Sequence, residues 1–189
     1  MVIIFGLLIT IILVAFDQAS KYIILHGLGL NNPRVIIPNI LQVRGVYNTG
    51  AAFSIFSDHK IFLVLISLLA FLFITYLMKD FSLKRRPLYS IALVLIYSGT
   101  IGNMIDRIFY AEGVFDFIEV LFVSFAIFNI ADSFLTIGVI IMAVYLLFFD
   151  KKDPVSLKFN KKDFISKFKK EEIKDEAQSE WNYWRNPLR

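Results

Sequence analysis

Four long stretches of this sequence are apolar and contain no charged side chain. They are residues 1–16, 61–78, 87–105 and 133–149. Each has nearly the ~20 residues that an α-helix needs to cross the hydrocarbon core of a bilayer. Hydrophobic residues make up 57% of the chain and the mean hydropathy is +0.65, both well above the values of a soluble domain. The sequence therefore predicts a mainly α-helical integral membrane protein with four transmembrane helices, over about residues 1–25, 60–78, 87–106 and 126–149.

Lysine and arginine predict which helix ends face the cytoplasm, because positive charge is retained on that side. A short basic loop at residues 79–86 joins the second and third apolar stretches, and residues 151–189 are rich in lysine. Both segments are predicted to be cytoplasmic, as are both termini. The first apolar stretch lacks the basic n-region and the cleavage site of a signal peptide, so we predict a retained helix.

The two long segments outside the apolar stretches differ in character. Residues 28–57 alternate turn formers with short β-branched or aromatic runs, which predicts a small extracytoplasmic β-rich loop domain resting on the outer membrane face. Residues 151–189 form a basic cytoplasmic tail whose composition is typical of a solvated, partly disordered extension. A segment lying on anionic lipid headgroups is the alternative interpretation of this tail.

Four aspartates stand at the predicted outer ends of the apolar stretches. They are Asp17, Asp106, Asp116 and Asp132. A carboxylate close to hydrocarbon is costly, so it needs a partner, a watery cavity or a raised pKa, and such groups are functional candidates. Because all four are predicted to lie at one depth, they indicate a single site near the outer membrane face.

The residue inventory disfavours several kinds of catalytic site. The chain has no cysteine, and no His–carboxylate spacing matches a known metal motif. Ser20 is adjacent to Lys21 in sequence and so does not face it on a helix, which disfavours a serine–lysine mechanism. Acid chemistry remains, in which an ionised carboxylate activates water while a protonated one polarises a peptide carbonyl.

Apolar flanks favour two of the four acids for this chemistry. Asp116 lies between Phe115 and Phe117, and Asp132 follows an apolar run interrupted only by an asparagine. Asp106, by contrast, has Arg107 beside it as an expected partner. Periodicity by itself does not choose the pair.

Five short motifs follow one another along the first 150 residues. They are DQASK at Asp17–Lys21, NTGAAF at Asn48–Phe53, GTIGNMIDR at Gly99–Arg107, VFDF at Val114–Phe117 and FNIADS at Phe128–Ser133. In this order, across four predicted spans, the motifs resemble those of the lipoprotein signal peptidase family. The resemblance implies an aspartyl endopeptidase of the bacterial inner membrane with its active site near the outer face. That family removes the signal peptide from diacylglyceryl-modified prolipoproteins, immediately before the lipid-bearing cysteine.

The resemblance also assigns roles to individual residues. It places the catalytic pair, which acts by general acid/base chemistry on a water molecule, on Asp116 and Asp132. The residues that match substrate-binding or pair-supporting positions are Asp17, Lys21, Asn48, Gly50, Gly102, Asn103, Arg107, Asn129 and Ala131. For Asp17 and Lys21, four residues apart on one helix face, a structural ion pair is an alternative. For Asn48 and Gly50 a simple turn is an alternative.

The resemblance implies no cofactor and no metal. The partners that it implies are prolipoproteins carrying a lipobox and a diacylglyceryl cysteine, membrane lipids, and cyclic peptide inhibitors of the globomycin type, with no nucleic acid. Three features depart from the family pattern. Ser98 stands where a second glycine is common, the segment from Asp116 to Asp132 is short and lacks tryptophan and proline, and the tail has no counterpart.

Two other function classes fit parts of the sequence. A small transporter also places acids within membrane helices, but the sequence shows no internal repeat and its acids are predicted near one face rather than mid-membrane. A non-catalytic scaffold that binds partners through the basic tail leaves Asp116 and Asp132 unexplained. Removal of the tail discriminates between the classes, because a peptidase should keep much of its activity.

Overall fold

The computed structural model describes residues 2–50 and 59–149. The predicted cytoplasmic tail, and the end of the NTGAAF motif, lie outside the described residues. The helices are α1 (Val2–Leu28), α2 (Lys60–Leu77), α3 (Pro87–Phe109) and α4 (Ile130–Phe148), and the strands are β1 (Arg34–Ile37), β2 (Leu41–Asn48) and β3 (Val114–Val120). All four helices are long and apolar enough to span a membrane, and the prediction of a four-helix membrane protein with a small β-structure is confirmed.

Helix α3 is the central element of the bundle. It packs against α1, α2 and α4, and 56% of its most apolar window is buried, against 17% in each of the other three helices. Large apolar side chains such as Ile12, Leu69 and Leu147 remain exposed on those three helices. This distribution is expected when helix surfaces face lipid rather than water, because the bilayer is as apolar as the core.

Glycines bring α3 and α4 into close contact. A side chain at Gly99 would meet the carbonyl oxygen of Ala131, and a Cβ at Gly138 would lie 2.8 Å from Cγ1 of Ile96. Small residues at such positions let two helix backbones approach. Ser98, which departs from the family pattern, is fully buried, and its Oγ donates to the carbonyl of Val94 at 2.7 Å. The serine is therefore accommodated within its own helix.

The three strands form one antiparallel sheet in the order β1–β2–β3. The predicted loop domain supplies only β1 and β2, and the third strand comes from the segment between α3 and α4. Its pairing sets Asp116 opposite Val46. The chain then reverses direction, and Phe128 forms an isolated antiparallel bridge with Ile118 of β3. The sheet therefore joins both connections at the end of the bundle where α1 and α3 finish and α4 begins, called here the site end.

Helix α4 begins at Ile130, four residues later than predicted. Asn129 has extended backbone angles and its side chain accepts a hydrogen bond from the N–H of Asp132, while the side chain of Asp132 accepts from the N–H of Asn129. This reciprocal pair is a capping box, which satisfies two amides that a helix start leaves without partners. The Asn-Ile-Ala-Asp sequence thus fixes where α4 begins.

Candidate active site

Asp116 and Asp132 line one cavity of about 540 Å³ at the site end. The polar part of its wall also contains Asn48, Asn103 and Arg107. The apolar part comes from the segment before α4 and from its first turns: Val114, Phe125, Ala126, Ile127, Phe128, Leu135 and Ile137. The cavity thus combines a small acidic centre with a largely apolar wall, as expected of a site for an apolar ligand that must be held in one orientation.

Asp116, on β3, is 2% exposed. Its Oδ1 accepts a hydrogen bond from Nδ2 of Asn129 at 2.7 Å and its Oδ2 accepts one from Nδ2 of Asn48 at 3.1 Å. Burial, and then the charge of Asp132, raise the pKa of Asp116 to about 7, against the two amide hydrogen bonds, which lower it. This carboxyl group therefore readily holds a proton near neutral pH.

Asp132, in the first turn of α4, is held through both of its oxygens. Oδ1 accepts from Nδ2 of Asn103 at 2.7 Å, and Oδ2 accepts from the backbone N–H of Asn129 at 3.1 Å. The second bond belongs to the capping box, so the helix start and the carboxylate orientation are one feature. Donors to both oxygens favour the ionised form of a carboxylate.

Asn129 connects the two acids. It is fully buried, and its Nδ2 lies 2.7 Å from Oδ1 of Asp116 and 3.0 Å from Oδ1 of Asn103. Asn103 in turn donates to Asp132. Because each amide has a fixed donor end and acceptor end, this chain of contacts sets the orientation of both carboxyl groups.

Arg107 and Gly50 lie beside this pair. The Arg107 guanidinium reaches the carbonyl oxygen of Asn103 at 3.4 Å and that of Gly50 at 3.5 Å. Its buried Nε has no hydrogen-bond partner within the described part of the chain. The N–H of Gly50 donates to Oδ1 of Asn48 at 2.9 Å, which is the expected turn. Asn48 therefore forms that turn and also contacts Asp116.

The predicted pairing of Asp106 with Arg107 is wrong. Asp106 is fully buried, and its Oδ2 forms an ion pair with Nζ of Lys21 at 2.8 Å. Consecutive residues on an α-helix point in directions about 100° apart, so Asp106 and Arg107 do not face each other. Asp106 faces α1, whereas Arg107 faces the cavity.

Asp17 and Lys21 form the ion pair that their spacing on α1 predicts, at 2.8 Å. Neither belongs to the described lining of the cavity. Asp17 also accepts a hydrogen bond from the N–H of Ala131 at 2.9 Å. Gly102 makes room for this arrangement, since a Cβ there would lie only 2.6 Å from Oδ2 of Asp17. Asp17, Lys21, Gly102 and Ala131 thus lie next to the site and do not belong to the described lining of its cavity.

Besides Ser133 and Thr136 in the cavity wall, the polar residue that sequence reasoning missed is Gln18. Its Nε2 lies 3.1 Å from Oδ2 of Asp17, 2.9 Å from Oδ1 of Asp106 and 3.2 Å from the carbonyl oxygen of Gly102. Its place in the first motif was visible, but its partners on α3 are far away in sequence.

Among the described residues, no group of three or more His, Cys, Asp or Glu side chains is arranged to hold a metal ion.

Comparison with known proteins gives a consistent result. The family model described as signal peptidase (SPase) II matches residues 9–148. Proteins named lipoprotein signal peptidase are similar to the chain. The one from Listeria monocytogenes serotype 4a (strain HCC23) is 38% identical over 147 residues, covering 77% of this chain and 94% of the relative. The one from Streptococcus pyogenes serotype M5 (strain Manfredo) is 44% identical over 140 residues, covering 72% and 88%.

Two solved structures share the fold. A bacterial membrane enzyme determined by the in meso method at 2.3 Å resolution has a TM-score of 0.70 and 34% identity, covering 82% of this chain and 94% of that one. A second, at 1.9 Å resolution, has a TM-score of 0.65 and 35% identity, covering 75% and 92%.

Proposed function

Because the chain belongs to the signal peptidase II family, we propose that it cleaves diacylglyceryl-modified prolipoproteins by a two-aspartate mechanism in the cavity lined by Asp116 and Asp132. Family membership supports removal of the signal peptide from prolipoproteins and argues against the transporter and scaffold interpretations. The proposal adds the two acids, their separate roles and the cleavage point before the lipid-modified cysteine.

One observation carries the proposal. Two carboxyl groups border the same cavity, each held by two hydrogen-bond donors, and the charge of Asp132 is close enough to raise the pKa of Asp116. Structural acids in a membrane protein are normally neutralised by a basic partner. Among the described ion pairs neither Asp116 nor Asp132 has one. A cavity in which one carboxyl group holds a proton near neutral pH and a second one lies close to it is the arrangement that water-activating aspartyl catalysis needs.

In the proposed mechanism Asp116 begins protonated and Asp132 ionised. Asp132 takes a proton from a water molecule as the water oxygen attacks the scissile carbonyl carbon. The Asp116 carboxyl donates a hydrogen bond to the carbonyl oxygen, which carries the developing negative charge. Asp132 then gives its proton to the leaving nitrogen as the negative oxygen re-forms the carbonyl and the C–N bond breaks, which returns the pair to its starting charge. One water is consumed for each peptide bond cut.

Arg107 and the apolar wall supply substrate binding in this proposal. Arg107 lines the cavity, so its guanidinium is placed to donate to substrate carbonyl oxygens. Phe125, Ile127, Leu135 and Ile137 offer an apolar surface to the signal helix and the acyl chains.

The chain is placed, in this proposal, in the bacterial cytoplasmic membrane with the site end outside. The short connection between α2 and α3 is basic, with Lys79, Lys84, Arg85 and Arg86, and it lies at the opposite end of the bundle from Asp116. Positive charge is retained in the cytoplasm, so both termini are also assigned to that side.

Cleavage of a diacylglyceryl-modified prolipoprotein by purified protein in detergent tests the proposal. The wild type is compared with Asp116→Asn and Asp132→Asn, with EDTA present throughout. The matched control is Glu119→Gln, a carboxylate on the same strand that pairs with Arg44 at 2.9 Å and does not line the cavity.

The pair Asp116 and Asp132 is called here the dyad. We expect loss of cleavage in both dyad variants, full cleavage by Glu119→Gln, and no effect of EDTA. A folded Asp116→Asn or Asp132→Asn protein that still cleaves, or inhibition by EDTA, contradicts the two-aspartate mechanism. Failure of the wild type to cleave contradicts the substrate assignment.

A further inference from the structure

The residue immediately before each dyad aspartate is hydrogen-bonded to a buried carboxylate. The backbone N–H of Ala131, which precedes Asp132, donates to Oδ1 of Asp17 at 2.9 Å. The backbone N–H of Phe115, which precedes Asp116, donates to Oδ2 of Asp106 at 3.4 Å. The same chemical contact therefore occurs at both halves of the dyad, one on α4 and one on β3.

These two buried carboxylates are also joined to each other. Nζ of Lys21 lies 2.8 Å from Asp17 and 2.8 Å from Asp106. Nε2 of Gln18 lies 3.1 Å and 2.9 Å from the same two side chains. Both acids are 0% exposed and Lys21 is 5% exposed, so these contacts are shielded from solvent.

We propose that Asp17, Gln18, Lys21 and Asp106 form a clamp that fixes the separation between β3 and the start of α4, and hence the spacing of the dyad. This role rests on the proposed function of the dyad but assigns the four residues a positioning role. Two donors on adjacent turns of α1 hold the two acids, and each acid holds the backbone that carries one dyad aspartate.

The contacts of Lys21 and Gln18 with the two acids, at 2.8–3.1 Å, are of the kind that positions groups tightly, and the Phe115 contact with Asp106, at 3.4 Å, is the weakest in the clamp. Hydrogen bonds to ionised groups are shorter and stronger than neutral ones, and a site must hold its reacting groups to within about 0.5 Å. Stability alone does not account for the cluster, since replacing a buried ion cluster by packed apolar residues is often neutral or stabilising.

The clamp also reaches the dyad through a side chain. Nζ of Lys21 is 3.5 Å from Oδ1 of Asn103, whose Nδ2 donates to Asp132. A lysine ammonium only donates, so this contact adds to the 3.0 Å bond from Asn129 in keeping the oxygen of Asn103 away from Asp132 and its NH₂ group turned toward it. Backbone spacing and amide orientation are thus set from the same helix.

Gln18→Leu is the variant that tests the clamp. It removes the neutral donor that spans both acids while keeping Lys21 and every charge. Ser20→Ala is the matched control, because among the described residues the Ser20 hydroxyl bonds only to the carbonyl of Asp17 within its own helix, at 2.7 Å. The wild type and Asp132→Asn are measured alongside, in prolipoprotein cleavage across pH.

For Gln18→Leu we expect kcat to fall by about 10- to 100-fold, because a misplacement of about 1 Å costs up to about 10²-fold. KM should stay within about two-fold of the wild type, since Gln18 is not among the described residues that line the cavity. Ser20→Ala should match the wild type in both parameters.

The pH profile separates positioning from simple destabilisation. The charged groups facing Asp116 are Asp132 from α4, Lys21 from α1 and Arg107 from α3, while β2 presents the Asn48 amide. Asp116 acts in its protonated form, so the rate should fall as the pH rises through its pKa, which gives the alkaline limb of the rate profile. A wider dyad weakens the repulsion from Asp132 and lowers this pKa, so the alkaline limb should move to lower pH. Thermal unfolding measured across pH reports the same shift without any substrate.

Wild-type kcat and an unmoved alkaline limb in Gln18→Leu would overturn the clamp, as would activity lost only in proportion to the folded fraction. Should Gln18→Leu not fold, Gln18→Asn, whose shorter side chain cannot reach both acids, carries the same expectations. If the wild type does not cleave the prolipoprotein, the proposed function fails, and the pH dependence of unfolding still decides for or against the clamp.

Discussion

Replacing Asp116 by asparagine should make the protein more stable at alkaline pH while abolishing cleavage. Burial raises the pKa of Asp116 from 3.8 to about 7. A pKa that is higher in the folded state means that the protonated form is favoured by folding. The contribution of this group to stability is therefore complete below pH 4 and is lost as the pH rises through 7. Asparagine carries no charge at any of these pH values, so the variant escapes that loss.

The size of the effect follows from the shift and from the lost hydrogen bonding. A shift from 3.8 to about 7 corresponds to about 4 kcal/mol of stability lost by the wild type above pH 7. The two carboxylate oxygens accept from Asn129 and Asn48, whereas an amide has one oxygen, so the variant forfeits one hydrogen bond worth about 1–1.5 kcal/mol. The net gain is about 2–3 kcal/mol at pH 8, with none at pH 4.5.

Thermal unfolding in detergent at pH 4.5 and pH 8 measures this difference. At about 2–4 °C per kcal/mol, Asp116→Asn should melt about 5–10 °C above the wild type at pH 8 and no higher than it at pH 4.5. Glu119→Gln, on the same strand, controls for loss of a carboxylate outside the cavity. An equal change in Tm at both pH values, or a variant less stable than the wild type at pH 8, would refute the reasoning about burial and charge.

Two further substitutions have defined outcomes. Gly102→Ala places a methyl group 2.6 Å from Oδ2 of Asp17, so it should lower the free energy of unfolding by about 1–3 kcal/mol and also reduce kcat. Gly138→Ala is similarly crowded but lies away from the dyad, so it should lower Tm and leave kcat per folded molecule unchanged. Similar kcat values in the two variants would contradict this distinction. Asn48→Ala removes a hydrogen bond that lowers the pKa of Asp116, so the alkaline limb of the rate profile should move to higher pH, and a downward shift would count against it.

The sequence was sufficient to predict the four helices and the small β-structure. Long uncharged apolar runs have few alternatives to spanning helices, and this pattern depends only on local composition. The third strand was missed because its evidence is not local. Val114–Val120 is apolar apart from two acids and lacks a clear two-residue alternation, and it becomes a strand by pairing with Leu41–Asn48, about seventy residues away.

Ion-pair partners show the same limit. Adjacency in sequence suggested Arg107 for Asp106, but helix geometry turns the two side chains apart and gives Lys21 of another helix as the partner. The pair Asp17 and Lys21 was predictable because both lie on one helix face. Gln18 was not predicted as a site residue, because its hydrogen bonds are to two carboxylates that only the packing of α1 against α3 brings together.

In the proposed mechanism, the capping box at the start of α4 couples the orientation of Asp132 to helix formation. Here the carboxylate of Asp132 and the amide of Asn129 are also the groups that begin a membrane helix. A change at either position would therefore also remove part of the capping box, and loss of an N-cap costs about 0.5–2 kcal/mol of stability. Substitutions that change which ligands the cavity accepts without this cost are therefore expected on the apolar wall, at positions such as Phe125 and Ile137, rather than at the acids themselves.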